Sequence, residues 1–330
     1  MTNKCTHAIG VDLGGTYIKA GVVDSTGKLL RQSRVSRETE VEKGCDAVVG
    51  NVVGAANEAL EKSGLAWDAV CGVGVGSPGV FDPVTDMLVL APNLACLVGR
   101  PLPTLIEKKL GRGLPIHLEN DANCAAFGEK WAGAGRDAKN IVLFTLGTGI
   151  GGGIVIDGKL WRGARGSAAE LGHQCVEVNG LPCGCGNRGC LEVYASATGM
   201  VRRFIEAVRQ GRDSALAPRV KSNQKVTARI IHEAAVAGDE LAKEIEDQTG
   251  RYLGIAVVNM INVLDPEMII FSGGMTASGD ALLNPIKEEA ARRACGLGLK
   301  GVSIVFGKLG NDAGLIGAAG CAFSRSGISA

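Results

Sequence analysis

IGVDLGGTYIKAGVVDSTGKLL, residues 9–30, reads as an apolar strand, a tight turn of glycine and threonine (LGGT), a second apolar strand and a polar turn that closes on Gly-Lys-Leu. The same plan returns at 141–163 as IVLFTLGTGIGGGIVIDGKLWRG, with LGTG as the turn and GGIV in the second strand. A single hairpin of this kind says little about a fold. Two of them, far apart in one chain, predict two domains of like topology.

The segments around the hairpins support two α/β halves. CDAVVGNVVGAANEALEKSG (45–64) spaces its apolar residues three and four apart and stops at Gly64, which predicts a helix with a glycine terminus. A buried strand is expected at AVCGVGVGSP (69–78), then a long loop through Asn93, a strand at LPIHLEN (114–120) and a helix at DANCAAFGEKWAG (121–133). Beyond the second hairpin, helices are expected over 196–211, 226–238, 239–262, 282–295 and 313–324, with strands at EMIIFSGG (267–274) and VSIVFG (302–307). This alternation belongs to α/β architecture, and the hinge between the halves is expected within 121–135.

With 330 residues the chain has room for two domains and a sizeable core. Its 35 basic and 34 acidic side chains leave a net charge of +1, so no basic footprint marks a nucleic-acid or membrane partner. A small-molecule ligand is expected instead. The N-terminal MTNKCTHAIGVDLGG lacks the apolar core of a signal peptide, and a cytoplasmic location is expected. The apolar run from Leu253 to Leu264 carries Asn259 and Asn262 and is too short to cross a bilayer. Eleven cysteines, an odd number scattered along the chain, argue against a disulfide framework, and Cys71 and Cys124 read as small core residues.

Gly147, Gly149 and Gly152 spell GxGxxG after a strand, the pattern of a dinucleotide turn. That turn needs a helix next, whereas GGGIVIDGKL continues as β structure, so the dinucleotide reading fails on context. No GxxxxGK[ST] loop occurs either. Turns rich in Gly and Thr still suit phosphate, because backbone N–H groups can close on its oxygens and a Thr hydroxyl adds a donor. The competing account is that the glycines merely let the hairpins pack closely. Asp12 lies inside the first apolar strand, where a carboxylate is costly unless paired or facing a metal, and Mg²⁺ on nucleotide phosphates would explain it.

Taken together, VDLGGT (11–16), SPG (77–79), ENDANCAAFGE (119–129), LGTGIGGG (146–153), AAELGH (168–173), CGCGNRGCLE (183–192) and SGGM (272–275) resemble the ROK family of repressors and sugar kinases over nearly the whole chain. The resemblance implies a two-domain α/β fold of the actin/hexokinase type, a duplicated ribonuclease H-like unit with mixed sheets flanked by helices. Residues 1–121 with 314–330 are expected to form the smaller domain and 122–313 the larger, with a cleft between them. One departure stands out: many relatives carry Gly-Trp soon after the Asn-Leu pair, where this chain reads APNLACLVGRPL (91–102).

Cys183, Cys185 and Cys190, with His173 upstream, offer three sulfurs and one nitrogen, a set suited to tetrahedral Zn²⁺ with every position filled. Gly184, Gly186 and Gly189 let so short a loop wrap an ion, and in the family this pattern is a structural zinc site. By resemblance, Glu170, His173 and Glu192 bind sugar hydroxyls, as do Asn93, Asn120 and the backbone around Gly79. For Glu192 a solvated surface carboxylate is the plain alternative. The family's general base corresponds to Asp121, a residue that spacing alone would read as a helix N-cap. Asp12, Gly14, Gly15, Thr16 and Lys19 in the first hairpin, Thr148 and Gly149 in the second, and Gly273, Gly274 and Met275 are expected at ATP.

These expectations amount to an ATP:hexose 6-phosphotransferase with glucose as the acceptor, using Mg²⁺ and assembled as a homodimer or homotetramer. Kinases of N-acetylmannosamine, N-acetylglucosamine, fructose or mannose are variants of the same reading. A sugar-responsive transcriptional regulator is the reading from another class, against which the first phosphate turn begins too early to leave space for a helix-turn-helix. A zinc hydrolase is disfavoured, since four protein ligands leave a catalytic metal no open position.

Overall fold

The computed structural model describes residues 5–82, 85–295 and 299–325. The chain divides into two compact units, Met1–Ile141 with Gly153–Ala169 and Gly307–Ala330, and Val142–Gly152 with Glu170–Phe306.

In the first unit, β1 (His7–Leu13) and β2 (Tyr17–Asp24) form an antiparallel hairpin in which Asp12 faces Lys19. Next come β3 (Val35–Glu38), α1 (Cys45–Ser63), β4 (Val70–Ser77), the short pair β5 (Val80–Phe81) and β6 (Leu88–Leu90), α2 (Leu102–Leu110), β7 (Ile116–Asn120) and α3 (Asp121–Ala132). The chain continues through β8 (Ile141–Leu146), β9 (Ile150–Ile156) and β10 (Lys159–Leu160). In the second unit it adds α4 (Leu191–Ala195), α5 (Ala197–Arg209), α6 (Ala217–Lys221), α7 (Ala228–Val236), α8 (Glu240–Leu264), β11 (Met268–Ser272), α9 (Asp280–Arg293) and β12 (Ser303–Phe306). The last helix, α10 (Ala313–Arg325), returns to the first unit.

The two five-stranded sheets have the orders β3-β2-β1-β4-β7 and β10-β9-β8-β11-β12. Each carries its Gly/Thr hairpin in the same place, and each extends it by parallel-paired strands, β1 with β4 and β7 in one sheet and β11 with β12 in the other. This is the duplicated, mixed-sheet α/β fold expected from the repeat. The GxGxxG glycines run straight into β9, a strand, as their sequence context required.

Glycine sets the close packing of the first unit. A Cβ on Gly10 or Gly74 would overlap the backbone of α10 at Leu315 or Ala318, so this helix lies directly on β1 and β4. Gly128 on α3 and Gly317 on α10 remove side chains in the same way and bring those two backbones together. Consequently α3, which a boundary after Asp121 would assign to the second domain, packs inside the first unit. Glu129 completes the joint: fully buried, its carboxylate accepts backbone N–H groups from Ala134 (2.7 Å), Lys308 (3.1 Å) and Leu309 (2.8 Å).

Most elements match their sequence signals, including the close of α1 at Gly64 in the left-handed region. The expected long loop through Asn93 instead holds β5, β6, a 3-10 segment (Pro92–Leu97) and α2. One cysteine assignment is corrected. Cys71 is buried, but it is joined to Cys5 in a disulfide, because the adjacent starts of β1 and β4 bring their Cα atoms to 5.1 Å. Cys124 remains a buried thiol.

Candidate active site and metal cluster

The LGGT turn in the first unit is closed by the Gly14 N–H donating to the Tyr17 carbonyl (3.0 Å) and by the Thr39 hydroxyl donating to the Gly14 carbonyl (2.7 Å). Thr16 is exposed at its tip. A Cβ on Gly15 would come within 3.0 Å of the Asn93 side chain, so the turn and the Asn93 segment are neighbours. Lys19 pairs with Asp12 at 3.7 Å. Burial, the larger influence, raises the Asp12 carboxyl above its ordinary value, and Lys19 only partly offsets it. Gly314, in the first turn of α10, leaves ordinary contact space beside that carboxylate.

The β7–α3 junction holds Asn120 and Asp121. Asn120, not Asp121, is the N-cap: its Oδ1 accepts the N–H groups of Ala122 (2.9 Å) and Asn123 (3.1 Å). Its Nδ2 donates to the Gly79 carbonyl at 3.2 Å, which ties the SPG turn to the junction. Asp121 is therefore the first helical residue, and its Oδ1 also accepts the Ala122 N–H at 2.8 Å. A carboxylate there sits in the favourable field of the helix N-terminus.

The LGTG turn in the second unit exposes Thr148 between Gly147 and Gly149. Glu192, on the first turn of α4, seats its carboxylate against this turn, and Oε2 accepts the Ile150 N–H at 2.9 Å. It is half-buried, so the solvated alternative does not describe it. Gly172 presses on the same residue, since a Cβ there would overlap the Ile150 carbonyl. Gly172 belongs to a 3-10 turn, Leu171–His173, entered from Glu170, with the His173 N–H donating to the Glu170 carbonyl (3.0 Å). Residues three apart eclipse in such a turn, so Glu170 and His173 share a side.

Leu146, Gly147 and Thr148 also form one wall of a cavity of about 760 Å³. Gly274 and Met275 line it, while Gly273 packs its bare Cα on Leu146. The remaining walls come from Ala197 and Met200 of α5 and from Thr227, Ala228, Arg229 and His232 at α7. Sequence reasoning placed a helix over 226–238 but gave it no role. Its only local signal is the Thr227 N-cap, whose hydroxyl accepts the Ile230 N–H at 3.2 Å, and that signal marks a helix start rather than a ligand. His232 in turn bonds Glu246 through Nδ1 at 2.9 Å.

His173, Cys183, Cys185 and Cys190 converge, with one ligand atom from each lying within 4.8 Å of all the others. His173 Nδ1 is 3.7 Å from Cys183 Sγ, and Cys185 Sγ is 3.7 Å from Cys190 Sγ. Zinc–sulfur bonds of ~2.3 Å at tetrahedral angles place sulfurs ~3.8 Å apart, which the Cys185–Cys190 pair matches, and three sulfurs with one nitrogen are a donor set that fits Zn²⁺. Burial, helped by the neighbouring thiols, pushes Cys190 up to about 12, whereas the backbone hydrogen bond from Asn187 holds Cys185 below its ordinary value. The loop is braced from α4, where the Tyr194 hydroxyl accepts the Leu181 N–H at 2.6 Å.

The family model of the ROK family matches residues 8–324. The glucokinase of Thermotoga maritima is 38% identical over 320 residues, covering 97% of this chain and 98% of that one. The glucokinase of Halalkalibacterium halodurans is 37% identical over 310 residues, with coverage of 94% and 92%. Among solved structures, a ROK family glucokinase from Streptomyces griseus in complex with glucose and AMPPNP superposes with a TM-score of 0.79 at 36% identity, covering 95% of this chain and 98% of that one.

Proposed function

From the premise that this chain belongs to the ROK family, we propose that it is an ATP-dependent hexokinase that transfers the γ-phosphoryl group to the 6-hydroxyl of glucose. One observation carries the reading furthest. Within the second unit a single turn, LGTG, walls the 760 Å³ cavity through Leu146–Thr148 and receives Glu192 and Gly172 at Ile150. A donor pocket and the hexose-binding candidates thus share one piece of backbone.

In this reading the adenosine occupies that cavity of the second unit against Gly273, Gly274 and Met275, with Thr148 and Gly149 at its phosphates; in the first unit the LGGT turn with Gly14, Gly15, Thr16 and Lys19 is the other phosphate-binding candidate. Asp12, directly or through water, would hold a Mg²⁺, which would supply neutralisation of the phosphate charge. Gly79, Asn93, Asn120, Glu170, His173 and Glu192 orient the hexose. Asn120 has one amide hydrogen committed to Gly79, and the other is the one that reaches the sugar. With His173 Nδ1 turned toward Cys183, the opposite ring nitrogen serves a hydroxyl.

Asp121 takes the proton of the 6-hydroxyl as its oxygen bonds to phosphorus. The bond from phosphorus to the bridging oxygen breaks, and its electron pair leaves with ADP. Zinc in the Cys/His cluster supplies no reaction step; it fixes the loop that presents His173 and Glu192. No helix among the described residues is long and apolar enough to cross a membrane. A cytoplasmic homodimer or homotetramer completes the proposal.

The test is ADP release by the purified chain with glucose, mannose, fructose, N-acetylglucosamine and N-acetylmannosamine. Glucose is expected to give the highest kcat/KM. Preference for an N-acetyl sugar would replace the acceptor and keep the kinase, and ADP release with none of them would overturn the reading.

A further inference from the structure

Glu119 precedes the Asn120–Asp121 pair on β7 and is only 7% exposed. Its carboxylate receives four donors. Oε1 accepts the Asn120 backbone N–H (3.1 Å) and the Asn123 side-chain amide (3.0 Å), and Oε2 accepts Nε and Nη2 of Arg162 at 2.6 Å each. The guanidinium therefore meets Glu119 through two of its nitrogens. Burial alone would lower its pKa, but Glu119 more than offsets this and holds it above the usual value.

Arg162 stands at the neck of a loop. Its carbonyl accepts the Ala168 N–H (3.2 Å), Gly163 takes φ +70°, and the chain passes into the second unit one residue later, between Ala169 and Glu170. One ion pair thus fastens the strand end that carries Asn120 and Asp121 to the segment that leads into Glu170. Such a pair, with the Glu119 side chain 8% and the Arg162 side chain 37% exposed, is a poor source of stability, because desolvation of the carboxylate cancels much of the attraction. Its value lies in direction: Arg162 holds Oε2 through two nitrogens while Asn120 and Asn123 hold Oε1, so the carboxylate is fixed at both oxygens and in turn fixes the Asn120 backbone.

We propose that Glu119 and Arg162 are positioning residues for the phosphoryl transfer, acting through Asn120 and Asp121 to aim the base at the hexose 6-hydroxyl. The proposal rests on the hexokinase reading above. Loss of the pair leaves the base present but misdirected, a fault that lowers turnover more than hexose binding.

The experiment compares wild type with Glu119→Gln, Arg162→Lys and the double variant Glu119→Gln/Arg162→Met, which leaves no lone buried charge and so keeps the fold where a single change fails. Circular dichroism and zinc content check the fold, calorimetry gives the glucose Kd, and ADP release gives kcat. Expected are a Kd within ~3-fold of wild type and a kcat lowered ~10–100-fold in the double variant, with Arg162→Lys, which keeps the charge but not the two-point contact, also slowed. Glu119→Gln added to Asp121→Asn is expected to cost no further turnover, because the two act through one group. A folded double variant with wild-type kcat, or full additivity with Asp121→Asn, overturns the proposal while the hexokinase reading stands. A wild type that releases ADP with no sugar removes both.

Discussion

Glu192 Oε2 accepts the Ile150 N–H at 2.9 Å and fills the space that a side chain on Gly149 would need. The Glu192 carboxylate brought from α4 thus sits where a Gly149 side chain would go, beside any phosphate the turn meets. Gly149→Ala should push Glu192 off the turn and lower kcat/KM for both ATP and glucose by at least about tenfold each. Steady-state kinetics with each substrate varied in turn checks this, and a defect confined to ATP would disconnect Glu192 from the hexose.

Asn120 performs the capping of α3, so the carboxylate of Asp121 is not needed for the helix start. Asp121→Asn should therefore fold with a Tm close to wild type and bind glucose, yet lose turnover by at least ~10²-fold. Near-normal turnover would remove Asp121 as the base.

Removing zinc should loosen the loop and weaken glucose binding without removing a Lewis acid. Uptake of the ion displaces thiol protons, and Cys190 is pushed up to about 12, so apparent zinc affinity should climb steeply with pH, by about tenfold or more per pH unit. Competition with a chromogenic chelator at pH 6, 7 and 8 measures this. A flat profile would mean that the cysteines are not the ligands.

Asp12 carries a stability cost. Its folded pKa lies above the ordinary value of 3.8, so the native state holds the proton more tightly than the unfolded chain. The ionised form then destabilises the fold at neutral pH, and that cost fades as pH falls through the raised value and is gone below 3.8. Asp12→Asn should be the more stable protein at pH 7, lose this advantage toward pH ~4, and lose most of its activity throughout. Thermal melts across that range decide it; a variant less stable than wild type at pH 7 would contradict the sign.

Glu129 is the buried joint between α3 and the entry to α10. Glu129→Ala strands three backbone N–H groups and should cost about 3 kcal/mol or more, with Glu129→Gln costing less because an acceptor oxygen remains. Urea denaturation measures both. Equal costs would locate the effect in the charge rather than in the hydrogen bonds.

Legibility followed the range of each interaction. The hairpins at 9–30 and 141–163 could be read because an apolar run and a Gly/Thr turn are local properties, and both became β-hairpins in sheets of matching order. The thiol cluster could be read because Cys183, Cys185 and Cys190 lie on one short loop whose chemistry its composition announces. Arg162 could not be read: its partner Glu119 lies 43 residues away, and nothing in WRGARGS points to it. The cavity walls on α5 and α7 were silent for the same reason, as was the pairing of Cys5 with Cys71 across adjacent strands.

By itself, then, the sequence determined the elements, the duplication, the phosphate-suited turns and the ligand set, since each depends on residue type and spacing within a few positions. Tertiary structure alone decided that Asn120 reaches the Gly79 carbonyl, that Glu192 occupies the space kept open by Gly149, and that Arg162 finds Glu119. Those choices depend on which backbones approach closely enough to exclude water, and such approaches are set by packing across the sheets, not by any pattern along the chain.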